Sequence, residues 1–581
     1  MSVSNPNPRG FSVVEIILAT ALAGLFVAST AGGLLFGARA AKEAGRKSQA
    51  VFLAEEGLAA TQNIRDDAFS NLTDGTWGLT TAGDQWNLSG ASDTVGIYTR
   101  TQTVAVVDAT KKSVTSAVSW QEVAGTTQTV SLVTYFSDWS AVVTALGGIL
   151  TYGDGTTAPK YRAYDTAANA FGAQTAAAVE SGGVTFATRT SPTRAEAITG
   201  YVTAAGTLNV MCFDGTAWTR EWSATVGGTG TTRRFDVAYE TGTGDAMVLY
   251  SANVAAANEL AYRTKPGSTG CGTANWAGET ALDAARTSGT VHWVKLAWDR
   301  RSAQDLVAAI WADDASDLSA MVWSGTAWGN EPAAASETSL ESVAAAQDVE
   351  AFDVEYETLS GDVMVAWANS AGADGTNGVR YRVCAGGTSA CAWGAVTTPP
   401  TFADDATNLD LAANPNTDEM AFASVGDAGS DLQAGYWSGT AWTNAADLDE
   451  DCATPVAGSK AVTAGWLVSG ATTRSVVMYA DSGSGAIDWY VGDAGAFALQ
   501  SDVAPAPAPT GPKRFLEAQT NPLGKDALML SVADDASGLY SKRLVMSATP
   551  TFAWTDSDGS VLVPTLPQSI ANPFSFAYWR L

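Results

Sequence analysis

Histidine is almost missing from this chain: His292 is the only one in 581 residues. HExxH and three-histidine zinc sites are therefore excluded. A Ser-His-Asp relay could draw only on His292, which sits in the strand-like run VHWVKLAW, where packing explains it. Cysteine is scarce too. Cys212, Cys271, Cys384, Cys391 and Cys452 are too few to staple so long a chain and show no CxxC spacing, so stability has to come from packing. Cys384 and Cys391 bracket a hairpin-like CAGGTSAC segment; they can pair in an exported chain, or stand as two small side chains on adjacent strands. Charged residues make up only 16%, against roughly 25% in average soluble proteins. They are also one-sided, with 32 basic against 60 acidic residues and a formal net charge of -28. Residues 1–70 hold six of each sign, so the whole excess lies downstream. A surface that acidic repels a phosphate backbone and argues against nucleic acid as a partner.

Cofactor motifs are absent as well. No P-loop or dinucleotide fingerprint occurs, Gly242 and Gly244 lying in a strand-to-strand turn. The acidic pairs Asp313-Asp314, Asp404-Asp405 and Asp534-Asp535, and the run from Asp449 to Asp451, lack the spacing of a calcium loop and read as solvated loops. No catalytic residue, cofactor or metal ligand is expected. What the chain does have is 57 glycines and 20 tryptophans, a composition of many short uncharged strands joined by turns.

It also has one long hydrophobic run. Behind the polar leader MSVSNPNPRG, residues 11–37 would form a helix about 40 Å long at ~1.5 Å per residue, enough to cross a hydrocarbon core of ~30 Å. Its single charge is Glu15. A carboxylate at mid-bilayer costs on the order of 2.5–3.5 kcal/mol and calls for a partner. Cleavage between Gly10 and Phe11 creates one, an α-amino group with a reference pKa of roughly 7.7–8.0 that is substantially protonated at neutral pH. A neighbouring chain packed with a small axial offset could share that charge, which would set helix register. Arg39, Lys42, Arg46 and Lys47 follow the run, and the positive-inside rule taken alone would keep that end in the cytoplasm.

The stretch Arg9-Gly10-Phe11-Ser12-Val13-Val14-Glu15, with the apolar run behind it, resembles the prepilin motif of type IV pilins and pseudopilins, over roughly residues 1–140. The resemblance implies that a prepilin peptidase removes the leader 1–10 by cutting after Gly10. It further implies N-methylation of Phe11, membrane anchorage through residues 11–37, and assembly with other pilin subunits through Glu15. The expected pilin-like part is α+β. A long helix spans 11–70, with Val51, Ala54, Leu58 and Thr61 on one face beyond the membrane, and ends at an Asp-Gly turn. A small antiparallel sheet follows over 71–140, with strands at 97–107, 112–120 and 126–139.

Residues 141–581 are an internal repeat. Strand–turn–strand phrases such as RRFDVAYETGTGDAMVLYSA and AFDVEYETLSGDVMVAWAN alternate with hairpins of two kinds, such as DLSAMVWSGTAWGNE and VRYRVCAGGTSACAW. Tyr161, Met211, Tyr262, Val322, Tyr381, Tyr436, Trp489 and Tyr540 mark the third strand of successive units, at spacings of 50, 51, 60, 59, 55, 53 and 51 residues. That period predicts an all-β propeller of eight four-stranded blades; a seven-bladed ring with an excursion, or an open pair of sheets, is the alternative. PFSFAYWRL reads as a first strand without a second and LGGILTYGDG as a second without a first, so their union would close the ring. The DGTAW and SGTAW turns are similar to the aspartate-box turns of sialidase-like propellers, yet the full S-x-D-x-G-x-T-W spacing is absent and hairpin chemistry accounts for them.

Together these features lead to the expectation of a minor pilin-like subunit. It would be stored in the bacterial cytoplasmic membrane and then carried to the cell surface or pilus, displaying an extracellular propeller that adheres to a glycan or protein ligand. The rivals are a surface-tethered glycan hydrolase, which would place two carboxylates about 5–10 Å apart at the propeller axis, and a pseudopilin of a type II secretion system.

Overall fold

The computed structural model describes residues 12–580 apart from internal stretches, of which 333–348 is the longest and 138–146, 369–377 and 504–512 are others. The leader, Gly10 and Phe11 lie outside the described residues. The chain divides into two compact units, Met1–Val142 and Val143–Leu581.

In the first unit, helix α1 runs 55 residues over Val13–Asp67. Its sequence is rich in Ala and Leu and free of Pro, as a long helix requires. It opens with a capping box: the Ser12 hydroxyl accepts from the Glu15 N–H at 3.2 Å, and the Glu15 carboxylate accepts from the Ser12 N–H at 2.9 Å. From Ala50 onward one face is buried, formed by Ala50, Leu53, Ala54, Gly57, Ala60, Thr61 and Ile64. This corrects the expected stripe, since Val51 and Leu58 are only half-buried at its flanks. Small residues occupy the centre because the sheet approaches so closely that a Cβ at Gly57 would meet Gln102 and Ser116.

That sheet has six strands, not three. In order it runs Gln85–Ser89, Gly75–Ala82, Tyr98–Asp108, Lys111–Gln121 and Thr127–Ser137, with Asp93–Val95 pairing to Tyr98–Asp108. The three long strands lie where alternation places them. The three others are short or rich in Thr, Gly and Asn, and carry too little periodicity to be seen. Arg100, 3% exposed, ties sheet to helix through the Leu53 carbonyl at 3.2 Å, Glu56 at 3.3 Å and Asp93 at 2.9 Å.

The second unit contains eight sheets among the described residues, each an antiparallel meander. Their inner strands are Phe574–Tyr578, Gly183–Thr190, Phe235–Tyr239, Val291–Trp298, Phe352–Tyr356, Ala406–Ala413, Val462–Ser469 and Lys513–Thr520. Each packs beside the next in that order, and Lys513–Thr520 returns against Phe574–Tyr578, so the sheets surround an axis in the manner of a propeller. All eight sequence markers fall on third strands. The closing pair joins as the sequence suggests, with Phe574 opposite Tyr152 and Tyr578 opposite Gly148.

Hydrophobic clusters lie between neighbouring sheets; one joins Trp293, Ile310 and Val322 to Phe352, Val365 and Trp367. Because neighbours cover both faces of each sheet, second strands such as VAAIWAD (Val307–Asp313) are buried at every position and read as continuous apolar runs. Cys384 pairs with Cys391 at a Cα separation of 5.6 Å, and Cys212 pairs with Cys271 at 5.5 Å. The second bridge crosses from one sheet to the next over 59 residues, and no local spacing announces it.

Candidate functional site

Two places in the chain depart from ordinary burial. The first is the front of α1, where Val13 is 72% exposed, Leu25 69% and Phe36 76%. No residue before Ala50 is buried in this helix. Glu15 stands exposed at its start with one carboxylate oxygen engaged by Ser12. The sequence reading missed this local role for the acid. It is compatible with a second partner, because an ionised carboxylate has further lone pairs to offer.

The second place is the axis of the ring, where one register position recurs in all eight inner strands: Ser575, Ala187, Asp236, Lys295, Asp353, Asp410, Thr463 and Glu517. At six of the eight joints this side chain accepts a hydrogen bond from the backbone of the next strand. The donors are the N–H groups of Thr188 to Ser575 at 3.1 Å, Leu296 to Asp236 at 2.9 Å, Leu411 to Asp353 at 2.9 Å, Ala464 to Asp410 at 2.8 Å, Ala518 to Thr463 at 3.0 Å and Phe576 to Glu517 at 3.1 Å. Ala187 and Lys295 offer no acceptor. At those two joints Asp236 and Asp353 bond the following N–H in their own strands, those of Val237 and Val354. Every exposed-edge N–H in the belt is thereby satisfied, as a buried backbone requires.

Charges within the belt are tightly paired. Lys295 Nζ lies 2.6 Å from Asp353, 3.1 Å from Glu350 and 3.8 Å from Asp410. Lys460 pairs with Asp410 and sits 3.7 Å from Glu350, and Arg233 lies 3.6 Å from both Glu350 and Asp236. Desolvation works to raise the Glu350 carboxyl, but Lys460, Lys295 and Arg233 outweigh it and hold the group far below the ordinary carboxylate range. At Asp353 desolvation prevails over the lysines and the carboxyl is pushed up.

Two residues above the belt, five of the eight inner strands carry Ala or Gly, such as Ala412, Gly465 and Ala577, the other three carry Arg189, Glu355 and Gln519, and a cavity of about 430 Å³ opens along the axis. Seven cations and five carboxylates line it, the reverse of the chain's overall balance of 32 to 60.

The hairpin turns have a structural explanation. Asp214 accepts from the N–H groups of Thr216 and Ala217, both at 2.8 Å, and Ser324 and Ser438 bond Ala327 and Ala441 at 3.2 Å in the same way. Gly215, Gly325 and Gly439 hold φ of +94°, +88° and +91°, which glycine alone adopts without strain. The tryptophan after each turn meets an aromatic of its own sheet and a tyrosine of the preceding one. Trp218 lies 5.3 Å from Phe213 and 5.9 Å from Tyr161, Trp328 5.7 Å from Trp323 and 6.4 Å from Tyr262, and Trp442 5.6 Å from Trp437 and 5.9 Å from Tyr381. The structural repeat is thus two sheets, matching the alternation of hairpin types.

Asp313 is likewise consumed locally, accepting from Gly289 at 2.6 Å and Asp317 at 2.7 Å. Asp404, Asp405, Asp451 and Asp535 lie outside the described residues. Glu196, Cys212 and Cys271 come close enough for a metal, but the two sulfurs form a disulfide and Glu196 is engaged by Arg194 at 2.7 Å and Lys265 at 2.9 Å.

No family model and no curated protein matches the chain. Among solved structures it is similar to the BP39L lectin from Burkholderia pseudomallei, at 14% identity over 64% of this chain and 98% of that one, with a TM-score of 0.42. It is also similar to the fucose-specific lectin from Aleuria aurantia, at 11% identity over 66% and 96%, TM-score 0.33. A third is the AofleA mutant from Arthrobotrys oligospora, at 14% over 68% and 89%, TM-score 0.32. The Aleuria lectin is described as a six-bladed propeller, whereas the second unit here has eight sheets among the described residues. Overlap this partial carries no argument about ligand.

Proposed function

We propose that this chain is a minor type IV pilin-like subunit. A prepilin peptidase cuts after Gly10, the Phe11 amine is methylated, α1 passes from the membrane into a fibre of other pilin subunits, and an eight-bladed propeller is displayed outside the cell to bind a glycan or protein ligand. The observation that carries this reading is the front of α1, apolar and exposed on all sides behind the Gly10-Phe11…Glu15 sequence, while the rear of the same helix is buried against its own sheet. A rod of that kind needs an apolar surrounding, and a bilayer or a bundle of identical helices provides one. A propeller on every subunit would crowd a packed fibre, so a tip or sparse position fits best.

The ring reads as a binding unit. Close carboxylates do occur at the axis, in Asp353 and Asp410, but both are held by Lys295. A hydrolytic pair has to meet its substrate, whereas these two carboxyls face the belt's own lysines and backbone N–H groups. The reading as a secretion pseudopilin rests on the same N-terminal residues and differs only in the machine.

Mass spectrometry of fibre material should find a mature, methylated N-terminus at Phe11; an intact Met1 in extracellular material would refute processing. Glu15→Ala should enter membranes normally and fail to enter fibres. Glu15→Gln, which keeps an acceptor for the Ser12 cap, separates charge pairing from capping: it too should fail, and normal incorporation would assign Glu15 to the cap alone.

A further inference from the structure

The ion-pairing that neutralises the belt stops short of one end of the axial cavity. There Arg189, Arg300 and Arg580 come together around Trp298. The Arg580 guanidinium lies 4.0 Å from the Trp298 ring centre and that of Arg189 5.5 Å from it. Arg300 spends its charge on Glu355, at 3.1 Å. Arg189 bonds the Thr188 carbonyl at 2.9 Å, reaches the edge of Asp236 at 3.7 Å, an acid that Arg233 already contacts, and acts on Glu517 without a close pair; its Nε is buried with no hydrogen-bond partner. Arg580 forms no hydrogen bond and no ion pair among the described residues. Desolvation, together with Arg300 and Arg189, pushes its guanidinium down to about 9, far below where arginine ordinarily titrates. Both cations are half-buried and under-compensated, Arg189 sharing Asp236 with Arg233 and Arg580 acted on by Glu355 and Tyr239 without a close pair, and a partly desolvated charge in that condition is unfavourable.

The surroundings say what kind of partner fits. The rim is rigid and small, with Pro192, Thr241, Thr358, Pro415 and Pro522 at the turns that follow the inner strands. The space, about 430 Å³, is near the low end of the ~300–1,000 Å³ of small-molecule sites, too large for a lone ion and too small for a folded segment. Guanidinium groups present paired donors that match the two oxygens of a carboxylate. On a chain of net charge -28, a pocket where cations outnumber acids also concentrates local positive potential where an anion would otherwise be repelled.

We propose that the Arg189, Arg300 and Arg580 end of the axial cavity binds the carboxylate of a small acidic ligand of monosaccharide size. This deepens the reading of the ring as a binding unit and does not depend on fibre assembly. The arginines were invisible as a group in the sequence because they lie in or just beyond three inner strands far apart in the chain, and only the shared axis unites them.

The test compares glucuronate with glucose, the same ring with and without the acid, by calorimetric titration of the full chain in neutral detergent. Glucuronate should bind saturably and glucose at least about ten-fold more weakly, and inorganic sulfate should displace glucuronate. Arg580→Met, which keeps the apolar stem over Trp298, should weaken glucuronate about ten-fold or more while its melting temperature holds or rises, because a half-buried cation without a close counter-charge has been removed. Arg189→Met provides an independent second variant with the same expected loss. Equal affinity for the two sugars, no glucuronate binding, or undiminished binding by both variants would overturn the proposal. Fibre incorporation of the Glu15 variants is unaffected by any of these outcomes, so failure here leaves the pilin reading standing.

Discussion

The two units invert the ordinary globule in opposite senses. The front of α1 places Val13, Leu25 and Phe36 outside, whereas the ring places Arg233, Glu350, Asp353 and Asp410 inside. In the ring the inversion is nearly self-contained, because Lys295, Lys460 and Arg233 are paired with Glu350, Asp353, Asp410 and Asp236, and Glu517 is held by hydrogen bonds from Phe576 and Gln519. In the helix it is open, because no described residue of α1 before Ala50 is buried and the sheet first reaches the helix at Arg46 and Gln49, through the Tyr98 hydroxyl. Function is best sought in what each inversion leaves over: an apolar surface without a covering in one unit, and guanidinium groups with too little counter-charge in the other. Completed inversions, such as the Lys295 cluster, are architecture.

Four measurements would break or sharpen that contrast. The largest effect is expected for Lys295→Met, which takes a cation from Glu350, Asp353 and Asp410 at once; urea unfolding in detergent should show a loss on the order of 3–5 kcal/mol. A loss below about 1 kcal/mol would mean that the axial charges are solvated and independent. Next comes Gly57→Val in the first unit, where the added side chain meets Gln102 and Ser116 and should cost about 1–3 kcal/mol, read as earlier melting of that unit with the ring unchanged.

A smaller effect with a definite sign concerns Glu240. Its carboxyl is raised from 4.5 to about 7, first by desolvation, against hydrogen bonds from Thr243 and Trp323. In the folded chain it stays neutral while in the unfolded chain it ionises, so stability is lost as pH rises from 4.5 towards about 7. Glu240→Gln should lose less across that window, the difference reaching on the order of 1–2 kcal/mol; parallel curves would remove the argument. The smallest effect belongs to Leu25→Ala, where 69% exposure predicts a change within about 0.5 kcal/mol in detergent. A larger loss would show that the front of α1 is covered by this chain after all.

Much of the architecture was legible before any coordinates. Tyr161 through Tyr540 mark third strands because the hairpin turns impose fixed chemistry once per unit, and the closing strand reveals itself by lacking a second. Repetition makes weak local signals add. The first unit has no repeat to lend that help, so Gly75–Ala82 and its short neighbours passed unseen, and the buried stripe of α1 was read a fraction of a turn away because its members are alanines and a glycine. The axial site was the least legible. A register position is defined by which strands face one another, and Asp236, Lys295, Asp353 and Asp410 look like unremarkable strand-edge charges until eight strands are set around one line.

The closing strand has a consequence in time. Thr151 and Ser575 are hydrogen-bonding partners 424 positions apart, so the sheet that is synthesised first is the sheet that is finished last. During folding the strand Gly148–Tyr152 waits with an open edge while seven further sheets form behind it, and such long-range pairing is slow. A nascent or truncated chain advertises its incompleteness at that edge, open to a chaperone or protease, and a chain whose ring has closed no longer does.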